Sequence, residues 1–344
     1  MTKHIKVAVL MGGRSPEYEI SLISGREVVK NLPKKYLPIP IIITKDGRKW
    51  LNVAKKELLS LPDSSSFVGT GKDIVSTSLK SRPVTSEKIS GSVDIVFIAM
   101  HGPYGEDGTV QGMLELAGIK YTGSGVLASA LGMDKPVFRK LMEHAKIPVP
   151  KSVVVSEGDS LKKVYRELSN PPYFVKPSAQ GSSVGASIVR KKKGLKRAIS
   201  KALKYGKEAL VDEYIKGKEV TCAVLGNEDA FALPVIEIVP LKGEFFDYKS
   251  KYTESGAEEI VPARISRKLS KIVQEISIKV YKVVGCRGFA RVDFLLKEGI
   301  YPVVLEINTI PGLTPMSLLP KAAKAFGYSY PKLLQKIINY ALQN

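Results

Sequence analysis

Short apolar runs alternate with amphipathic segments along the first third of the chain. Apolar runs of four to eight residues predict strands, and apolar residues spaced three or four apart predict helices. The predicted strands are residues 7–10, 39–44 and 93–100, and the predicted helices are 16 to about 29 and 109–117. Ser15 is placed to cap the first helix and Gly118 to end the second. Strand–helix alternation of this kind predicts an open, mostly parallel sheet.

The pattern changes after about Tyr121, where short elements are followed by longer strands. The predicted strands are residues 153–155, 173–176, 187–189, 209–212, 219–225, 231–239, 288–296 and 301–308. The predicted helices are residues 134–145, a basic helix after Arg190, 266–284 and 330–342. Residues 61–92 are rich in Ser, Lys and Pro and are expected to form a variable surface region. The pattern predicts three lobes, one α/β and two α+β.

Length and composition limit the class of protein. A chain of 344 residues suits two or three domains, and 44% hydrophobic with 25% charged residues is typical of a globular protein. No apolar run approaches the roughly 20 residues of a membrane span, and the N-terminus lacks a signal-peptide core. Cys222 and Cys286 lie in apolar runs and are expected to be buried free thiols. We therefore expect a cytoplasmic protein with no membrane partner.

A formal charge of +20 is the one extreme of the composition. The densest basic run extends from Arg190 to Lys204, and the apolar residues between its lysines predict an amphipathic helix with a solvated basic face. A basic nucleic-acid-binding protein without catalysis is the alternative from another class. No aromatic residue lies among these lysines before Tyr205, and no nucleic-acid motif accompanies them, so a nucleic-acid partner is not expected.

Three glycine-containing loops are candidate ligand sites. Residues 11–17 follow a strand and open a helix, where an anion is favoured, but a plain tight turn explains them equally well. They lack the GxGxxG pattern, which argues against a dehydrogenase. Residues 101–109 follow a buried strand, where α/β sheets bind ligands. Residues 176–185 begin with a lysine and are rich in Gly and Ser, which favours a lid over phosphate groups above a flexible hairpin.

Two predicted strands near the C-terminus carry polar side chains at positions of equal parity. Arg291 and Asp293 share one face of the first strand, and Glu306 and Asn308 share one face of the second. Two carboxylates and an amide oxygen suit Mg²⁺. A charged pair in apolar strands is costly to bury unpaired, so two exposed polar faces are the weaker interpretation. The irregular segment 309–318 follows, and its backbone N–H groups are candidates for binding an oxyanion or a carboxylate.

Together these motifs resemble the ATP-grasp enzymes and, within them, the D-alanine–D-alanine ligases. The resemblance extends from Gly12 to the last helix. It rests on the ordered stretches 11–24, 101–112, 121–125, 133–135, 176–185 and 305–309. It implies an α/β fold with a three-lobed ATP-grasp architecture. An N-terminal Rossmann-like open sheet would occupy residues 1–123, and two α+β lobes, 124–215 and 216–344, would enclose ATP.

The resemblance also implies residues for ATP and for two Mg²⁺ ions, with Mn²⁺ as an alternative metal. The residues implied at ATP are Lys135, Lys176, Ser182, Asp212, Glu213, Ile215, Glu219 and Lys251. The two lysines Lys135 and Lys176 would hold phosphates, residues 209–215 would form the adenine-binding hinge, and Glu219 would contact the ribose. The family often has glutamate where this chain has Asp212. Asp293, Glu306 and Asn308 match the metal ligands, with Glu306 bridging the two ions.

For the amino-acid substrates, the resemblance implies binding by Glu17, His101, Lys251, Ser317 and Leu318. The residues implied in the chemistry are Glu17, Ser182, Tyr252, Arg291 and Gly312. Glu17 would hold the first ammonium group, and Ser317 and Leu318 would clamp the second carboxylate. Arg291 and the Gly312 backbone would stabilise the tetrahedral intermediate. The Ser182–Tyr252 pair, helped by Lys251 from a loop of about residues 241–262, is the candidate base.

The implied function is the ATP-dependent ligation of two D-alanines to D-alanyl-D-alanine for peptidoglycan precursor synthesis. The reaction would pass through D-alanyl phosphate and release ADP and phosphate. The nearest alternative is D-lactate or D-serine as second substrate on the same fold. Tyr252 within residues 247–252 favours the dipeptide ligase, because depsipeptide-forming relatives replace that loop. The resemblance further implies a homodimer, with D-alanine and ATP as the small-molecule partners.

Overall fold

The structure, a computed structural model, describes residues 4–60, 81–85, 89, 91–181, 184–241 and 256–343. Its strands β1 to β15 are Ile5–Gly12, Tyr36–Ile43, Trp50–Val53, Ser81–Pro83, Ile95–Ile98, Ser152–Ser156, Tyr173–Pro177, Ser187–Val189, Glu208–Glu213, Gly217–Gly226, Phe231–Ala232, Ile236–Pro240, Ala257–Ile260, Gly288–Lys297 and Tyr301–Asn308. Its helices α1 to α10 are Tyr18–Asn31, Lys55–Leu59, Thr109–Leu116, Val126–Met133, Lys135–His144, Lys162–Glu167, Leu195–Ala202, Arg267–Val284, Leu318–Ala325 and Tyr330–Leu342. None of these helices is long and apolar enough to cross a membrane.

The first sheet has five strands in the order β4-β3-β2-β1-β5. Strand β1 pairs in parallel with β2 and β5, which confirms the open sheet predicted for the first third. The expectation of a mostly parallel sheet is wrong, because β3 pairs antiparallel with both β2 and β4, so only half of the pairings are parallel. Helix α1 begins at Tyr18, two residues later than predicted. The reason is local: the Ser15 hydroxyl accepts a hydrogen bond from Glu17 N at 3.0 Å, and the Ser15 carbonyl accepts one from Tyr18 N. Ser15 therefore closes a turn before the helix instead of capping it.

Two further sheets follow. The second contains β6-β9-β7-β8, and the third contains β13-β12-β10-β14-β15 with β11 also paired to β10. The single strand predicted over residues 231–239 is wrong, because β11 and β12 are separated by Leu233, Pro234 and Val235. A proline lacks the N–H that a ladder requires, so the strand is interrupted there.

Apolar packing ties the two ends of the chain together. One core cluster combines strands of the first sheet with residues of α9 and α10, including Val9, Phe97, Leu319 and Leu333. A second cluster packs helices α4, α5 and α8 against the third sheet. The segment between β15 and α9 is therefore held at the junction of the first and third sheets.

The basic run forms the predicted amphipathic helix, now α7, after a short 3₁₀ turn at Lys192–Gly194. Leu195 and Ala202 are buried, whereas Lys196 and Arg197 are exposed. The two cysteines are free; Cys222 is buried and Cys286 is half-buried. Burial raises the pKa of each thiol to about 12, which keeps both protonated near neutral pH.

A buried carboxylate fastens the third sheet to the segment that leads into α8. Glu237 of β12 accepts hydrogen bonds from Arg264 N, Nε and Nη2 at 2.9 to 3.1 Å, and Lys218 Nζ of β10 lies 3.0 Å away. The Arg264 hydrogen bonds, and next those of Lys218, outweigh burial and lower the pKa of Glu237 to about 2, from an ordinary value of 4.5.

The Glu237 cluster makes stability depend on acid pH. A depressed carboxyl pKa contributes stability that is present above the unfolded value and is lost as pH falls toward the folded value. We expect Glu237→Gln to lower the free energy of unfolding by about 1.5–3 kcal/mol near pH 7. The difference from the unsubstituted protein should shrink below pH 4.5 and vanish near pH 2. Urea unfolding at a series of pH values measures it.

Glu275→Gln is the matched control. Glu275 lies 3.9 Å from Lys271 on the exposed face of α8, where an ion pair contributes little. A loss at Glu237→Gln that stays constant from pH 7 to pH 3, or that Glu275→Gln reproduces, would contradict the assignment.

Candidate functional site

The four polar residues of β14 and β15 form one block on one face of the third sheet. The antiparallel register places Arg291 opposite Asn308 and Asp293 opposite Glu306. The register shifts immediately after Asp293, so Leu305 is the extra residue of a bulge. The predicted parity is confirmed, and the register adds that the two pairs are direct neighbours across the strands.

Arg291 and Asp293 form a bidentate ion pair. Nε donates to Oδ1 and Nη2 donates to Oδ2, both at 2.7 Å, and Thr221 Oγ1 of β10 donates to Oδ1 at 2.6 Å. Both side chains are buried. Burial opposes the charge on Arg291, but Asp293, through its charge and its hydrogen bonds, raises the pKa of the guanidinium. Two exposed polar faces are therefore excluded, because the charges are buried and paired.

The donor set of this block fits Mg²⁺. Among the described residues no three of His, Cys, Asp and Glu cluster as metal ligands, and the block instead combines two carboxylates with the amide of Asn308. Asn308 Oδ1 accepts a hydrogen bond from Ile310 N at 2.9 Å, and a carbonyl oxygen keeps a second lone pair. Asp293, Glu306 and Asn308 thus present hard oxygen atoms side by side.

The two lysines expected at ATP phosphates lie in linked charge clusters. Lys135 Nζ, at the start of α5, donates to Gln180 O at 2.9 Å and lies 3.4 Å from Glu306 Oε2. Lys176 Nζ, near the end of β7, lies 3.1 Å from Asp212 Oδ2. Burial lowers the pKa of Lys176, and the Asp212 charge opposes that shift. Buried ammonium groups with incomplete pairing are suited to bind a polyanion.

The predicted hinge contains a buried acceptor without a partner. Asp212 lies in β9, and its Oδ1 makes no hydrogen bond with any of the described residues. Glu213 Oε1 accepts a hydrogen bond from Lys151 N at 2.9 Å, and Ile215 is buried. Glu219 lies in β10 between Leu295 and Ile238. An orphaned acceptor fits the amino group of an adenine, which is a donor, so the hinge residues fit ATP.

Glu17 belongs to the first glycine-containing loop, residues 11–17, and lies beside the other two, residues 101–109 and 176–185. It is buried, and a Cβ built on Gly102 would lie 2.6 Å from its Oε2. A Cβ on Gly181 would lie 3.3 Å from the same atom. Gly102 also has a φ of +73°, which favours glycine. The structure therefore explains Gly102 by close approach to a carboxylate, and it brings Glu17 beside the 176–185 loop.

His101 connects the first sheet to the segment after β15. Its Nδ1 lies 3.1 Å from Ile310 O and donates to that carbonyl, while Nε2 lies 2.8 Å from Ser24 Oγ. Glu106 Oε1 is 3.7 Å from Nδ1. Burial alone would lower the pKa of His101, but Glu106 and Glu17 raise it. Burial raises the pKa of Glu106. His101 and Glu106 therefore form a buried pair of titratable groups beside Glu17.

Gly312 and Ser317 come together in the segment before α9. A Cβ on Gly312 would lie 2.7 Å from Ser317 Oγ, and that hydroxyl accepts a hydrogen bond from Thr314 N at 3.2 Å. Leu318 begins α9, which places Ser317 at the helix N-terminus. The segment is therefore tightly folded, and its N–H groups suit the binding of an anion.

Three of the predicted site residues, Ser182, Lys251 and Tyr252, lie outside the described residues. The sequence analysis did not identify three further residues of the site. They are Thr221, which donates to Asp293; Glu106, which lies beside His101; and Arg139, which donates to Asp212. The spacing of Arg139, one helical turn after Lys135, was an available signal. Glu106 also had one, because it lies in the same loop as His101, five residues further on. Thr221 had none, because Asp293 is 72 positions away in the chain.

Comparison with known proteins covers both halves of the chain. Residues 6–124 match the family described as D-ala D-ala ligase N-terminus, and residues 141–339 match D-ala D-ala ligase C-terminus. The chain is 40% identical over 349 residues to a D-alanine–D-alanine ligase of Pelotomaculum thermopropionicum, covering 99% of this chain and 98% of that protein. It is 41% identical over 340 residues to the ligase of Desulforudis audaxviator, covering 98% of each.

Solved structures give the same similarity. The VanG D-Ala:D-Ser ligase from Enterococcus faecalis aligns with a TM-score of 0.83 and 38% identity, covering 98% of this chain and 99% of that one. The D-alanine-D-alanine ligase from Coxiella burnetii aligns with a TM-score of 0.83 and 31% identity, covering 99% and 94%.

The position of Gly102 against Glu17 gives a test of the site. In Gly102→Ala the new methyl group meets Glu17 Oε2 and Ser15 Oγ at 2.6 and 2.5 Å, so the carboxylate must move. We expect ATP-dependent phosphate release in the presence of D-alanine to fall by about 100-fold, as positioned groups lose alignment. A steady-state phosphate assay measures it.

Gly118→Ala separates this effect from backbone strain. Gly118 has a φ of +64°, and a Cβ there meets nothing within 4 Å. Both variants should lose about 1 kcal/mol of stability, and only Gly102→Ala should lose activity. Equal activity of the two variants would remove Gly102 from the site.

Proposed function

The chain belongs to the D-alanine–D-alanine ligase family, and from this we propose that it joins two D-alanines to D-alanyl-D-alanine at the expense of ATP. It is an ATP-dependent carboxylate–amine ligase with the ATP-grasp fold, and its product serves peptidoglycan precursor synthesis. The observation that carries the proposal is the full-length identity of about 40% to such ligases, together with a polar block on β14 and β15 that fits magnesium and phosphate chemistry.

The proposed nucleotide site extends from the hinge to the acidic block. Lys135 and Lys176 would hold phosphates, and the unpaired Asp212 Oδ1 is suited to accept from the adenine amino group. Glu213, Ile215 and Glu219 complete the proposed contacts with adenine and ribose, and Ser182 and Lys251 are proposed at the phosphates. What supports the assignment is that Lys176 and Arg139 share one oxygen of Asp212, while among the described residues no donor reaches the other oxygen.

Asp293, Glu306 and Asn308 are the residues we assign to two Mg²⁺ ions, with Mn²⁺ as an alternative. Bound there, the metal would neutralise phosphate charge during transfer. Arg291 holds Asp293 with both carboxylate oxygens oriented, so this ligand does not need to reorganise.

The chemistry must overcome the poor reactivity of a carboxylate. The carboxylate oxygen of the first D-alanine attacks the γ-phosphorus, the bond from that phosphorus to the bridging oxygen breaks, and ADP leaves with an acyl phosphate formed. The amine of the second D-alanine then attacks the acyl carbon, and phosphate leaves. Negative charge develops on the carbonyl oxygen, and Arg291 and the Gly312 N–H are the donors proposed to stabilise it.

The substrates need opposite protonation states at their amines. The buried carboxylate of Glu17 is suited to hold the first D-alanine as its ammonium, which is not the nucleophile. The attacking amine must be neutral, and Ser182 with Tyr252, assisted by Lys251, is the proposed base. His101 would orient Glu17 and the segment after β15, and Ser317 with Leu318 would bind the second carboxylate.

Two further predictions about this protein remain proposals. One is the division into lobes at residues 123/124 and 215/216. The other is a homodimer in the cytoplasm. We propose that the contact between protomers includes the exposed apolar side chains Leu116 and Leu127, which lie on the neighbouring helices α3 and α4.

Product analysis tests the function and the second substrate together. Phosphate release from ATP and Mg²⁺ is measured with D-alanine, with L-alanine, and with D-alanine mixed with D-lactate or D-serine, and products are identified by mass. We expect release only with D-alanine, yielding the dipeptide. Preferential formation of D-alanyl-D-serine would place the chain with the Enterococcus faecalis ligase in substrate choice, and no release with any substrate would refute the proposal.

The metal assignment is tested at Glu306. Glu306→Gln removes the carboxylate charge while keeping its size, so we expect turnover to be nearly abolished and the half-saturating Mg²⁺ concentration to rise by about 10-fold or more. Glu298→Gln, in the exposed turn between the same two strands, is the control and should leave the Mg²⁺ dependence unchanged. An unaltered Mg²⁺ titration in Glu306→Gln would show that the metal binds elsewhere.

A further inference from the structure

Helix α5 places two buried cations one turn apart. Lys135 and Arg139 are separated by four residues, so they share one face of the helix, and they are only 5% and 2% exposed. Lys135 reaches Glu306 at the acidic block, and Arg139 reaches Asp212 at the hinge. One short helix thereby contacts both ends of the proposed nucleotide site.

Arg139 is incompletely satisfied by the residues around it. Its Nη2 lies 3.2 Å from Asp212 Oδ2, and its Nη1 donates to Pro150 O at 3.4 Å. Its Nε has no hydrogen-bond partner within the part of the chain that the structure describes. Burial of a guanidinium group costs free energy unless its charge is compensated. The buried position of Arg139 therefore indicates that its charge has a role in the site.

The two cations beside Asp212 both lie close to the same carboxylate oxygen. Lys176 Nζ lies 3.1 Å from Oδ2, the same oxygen that faces Arg139, while Oδ1 is buried without a partner. Two positive charges therefore share a single carboxylate oxygen. The cluster has one excess positive charge and one unused acceptor, which are complementary to a phosphate and to an amino group respectively.

We propose that Arg139 is a positioning residue that keeps Asp212 Oδ1 available for the adenine 6-amino group and Lys176 available for phosphate. This rests on the proposed function, because it assigns ATP to this site. Arg139 fixes Oδ2 from the α5 side, so Lys176 does not occupy both carboxylate oxygens. Without Arg139, Lys176 alone would pair with Asp212, and its three N–H groups could donate to both carboxylate oxygens. That pairing would occupy Oδ1 and neutralise the charge of the Lys176 ammonium group.

Nucleotide selectivity follows from the same arrangement. The 6-amino group of adenine donates to Oδ1, whereas the 6-oxo group of hypoxanthine is an acceptor and would face an unpaired carboxylate oxygen. A buried acceptor opposite an acceptor is strongly disfavoured. Arg139 therefore contributes to the preference for ATP over inosine triphosphate, although it would touch neither base.

The test compares Arg139→Met and Arg139→Lys with Arg166→Met. Arg166 is an exposed arginine on α6 whose Nη2 lies 3.2 Å from its neighbour Glu167, so it is the matched control. We expect Arg139→Met to raise the KM for ATP by about 10-fold, to change the KM for D-alanine by less than twofold, and to lower the ATP-to-inosine triphosphate ratio of kcat/KM by about 10-fold. Arg139→Lys keeps a cation beside Asp212 and should recover part of both effects.

Several outcomes would overturn the inference. A folded Arg139→Met with unchanged KM for ATP and unchanged nucleotide ratio would do so. An equal loss of kcat with both nucleotides and no change in KM would also do so, because that is the pattern of a purely structural role. If Arg139→Met does not fold, the nucleotide ratio of Arg139→Gln decides, since glutamine removes the charge but keeps an amide donor, and a ratio equal to that of the unsubstituted protein refutes the proposal.

Binding measurements separate this inference from the proposed function. Calorimetric titration of the unsubstituted protein and both variants with ATP and with inosine triphosphate, in Mg²⁺ and without D-alanine, requires no turnover. Preferential ATP binding that Arg139→Met abolishes would support the inference even if no dipeptide is formed. Absence of ATP binding to the unsubstituted protein would overturn the inference directly.

Discussion

The buried ion pair between Arg291 and Asp293 is the interaction on which the rest of the site depends. Both charges lie inside a strand whose other residues are mostly apolar, so each must be paired to remain there. The hydrogen bond from Thr221 fixes β14 against β10, and the direct opposition to Glu306 and Asn308 fixes β14 against β15. A slip of β14 by one residue would turn Arg291 and Asp293 to the opposite face, away from Glu306 and Asn308, so the register is strongly specified.

Charges around the proposed nucleotide site are only partly compensated by the described residues. Lys135 lies close to Glu306, and Lys176 and Arg139 share Asp212 Oδ2. Among the described residues, Asp212 Oδ1 and Arg139 Nε have no hydrogen-bond partner. Groups of this kind destabilise an empty protein and are satisfied by a ligand of opposite character. The same desolvation that lowers the pKa of Lys176 strengthens its attraction to a bound phosphate.

The substrate end of the site is built from segments far apart in the chain. Helices α9 and α10 pack against the first sheet, and this shared core holds Ile310 beside His101. Glu17 and Gly102 come from loops at the ends of the parallel strands β1 and β5. The position where α/β sheets bind ligands is therefore completed by a segment that follows the last strand of another sheet. A large part of the +20 charge lies elsewhere, on the exposed face of α7 and its flanks.

Structural features that depend on residues close together in the chain could be predicted from the amino-acid pattern alone. Period-two alternation put Arg291 with Asp293 and Glu306 with Asn308, and the helix over residues 266–284 was predicted to within one residue, because these are properties of a single strand or helix. Ordered motifs identified the family, since glycines and charges at fixed spacing reflect one chemistry. Other features became visible only in the folded protein. They are the bulge after Asp293, the interruption between β11 and β12 at Pro234, and the contacts of Arg139 with Asp212 and of His101 with Ile310. Those contacts join residues 73 and 209 positions apart, and which partner each buried group finds depends on how the whole chain removes its charges from water.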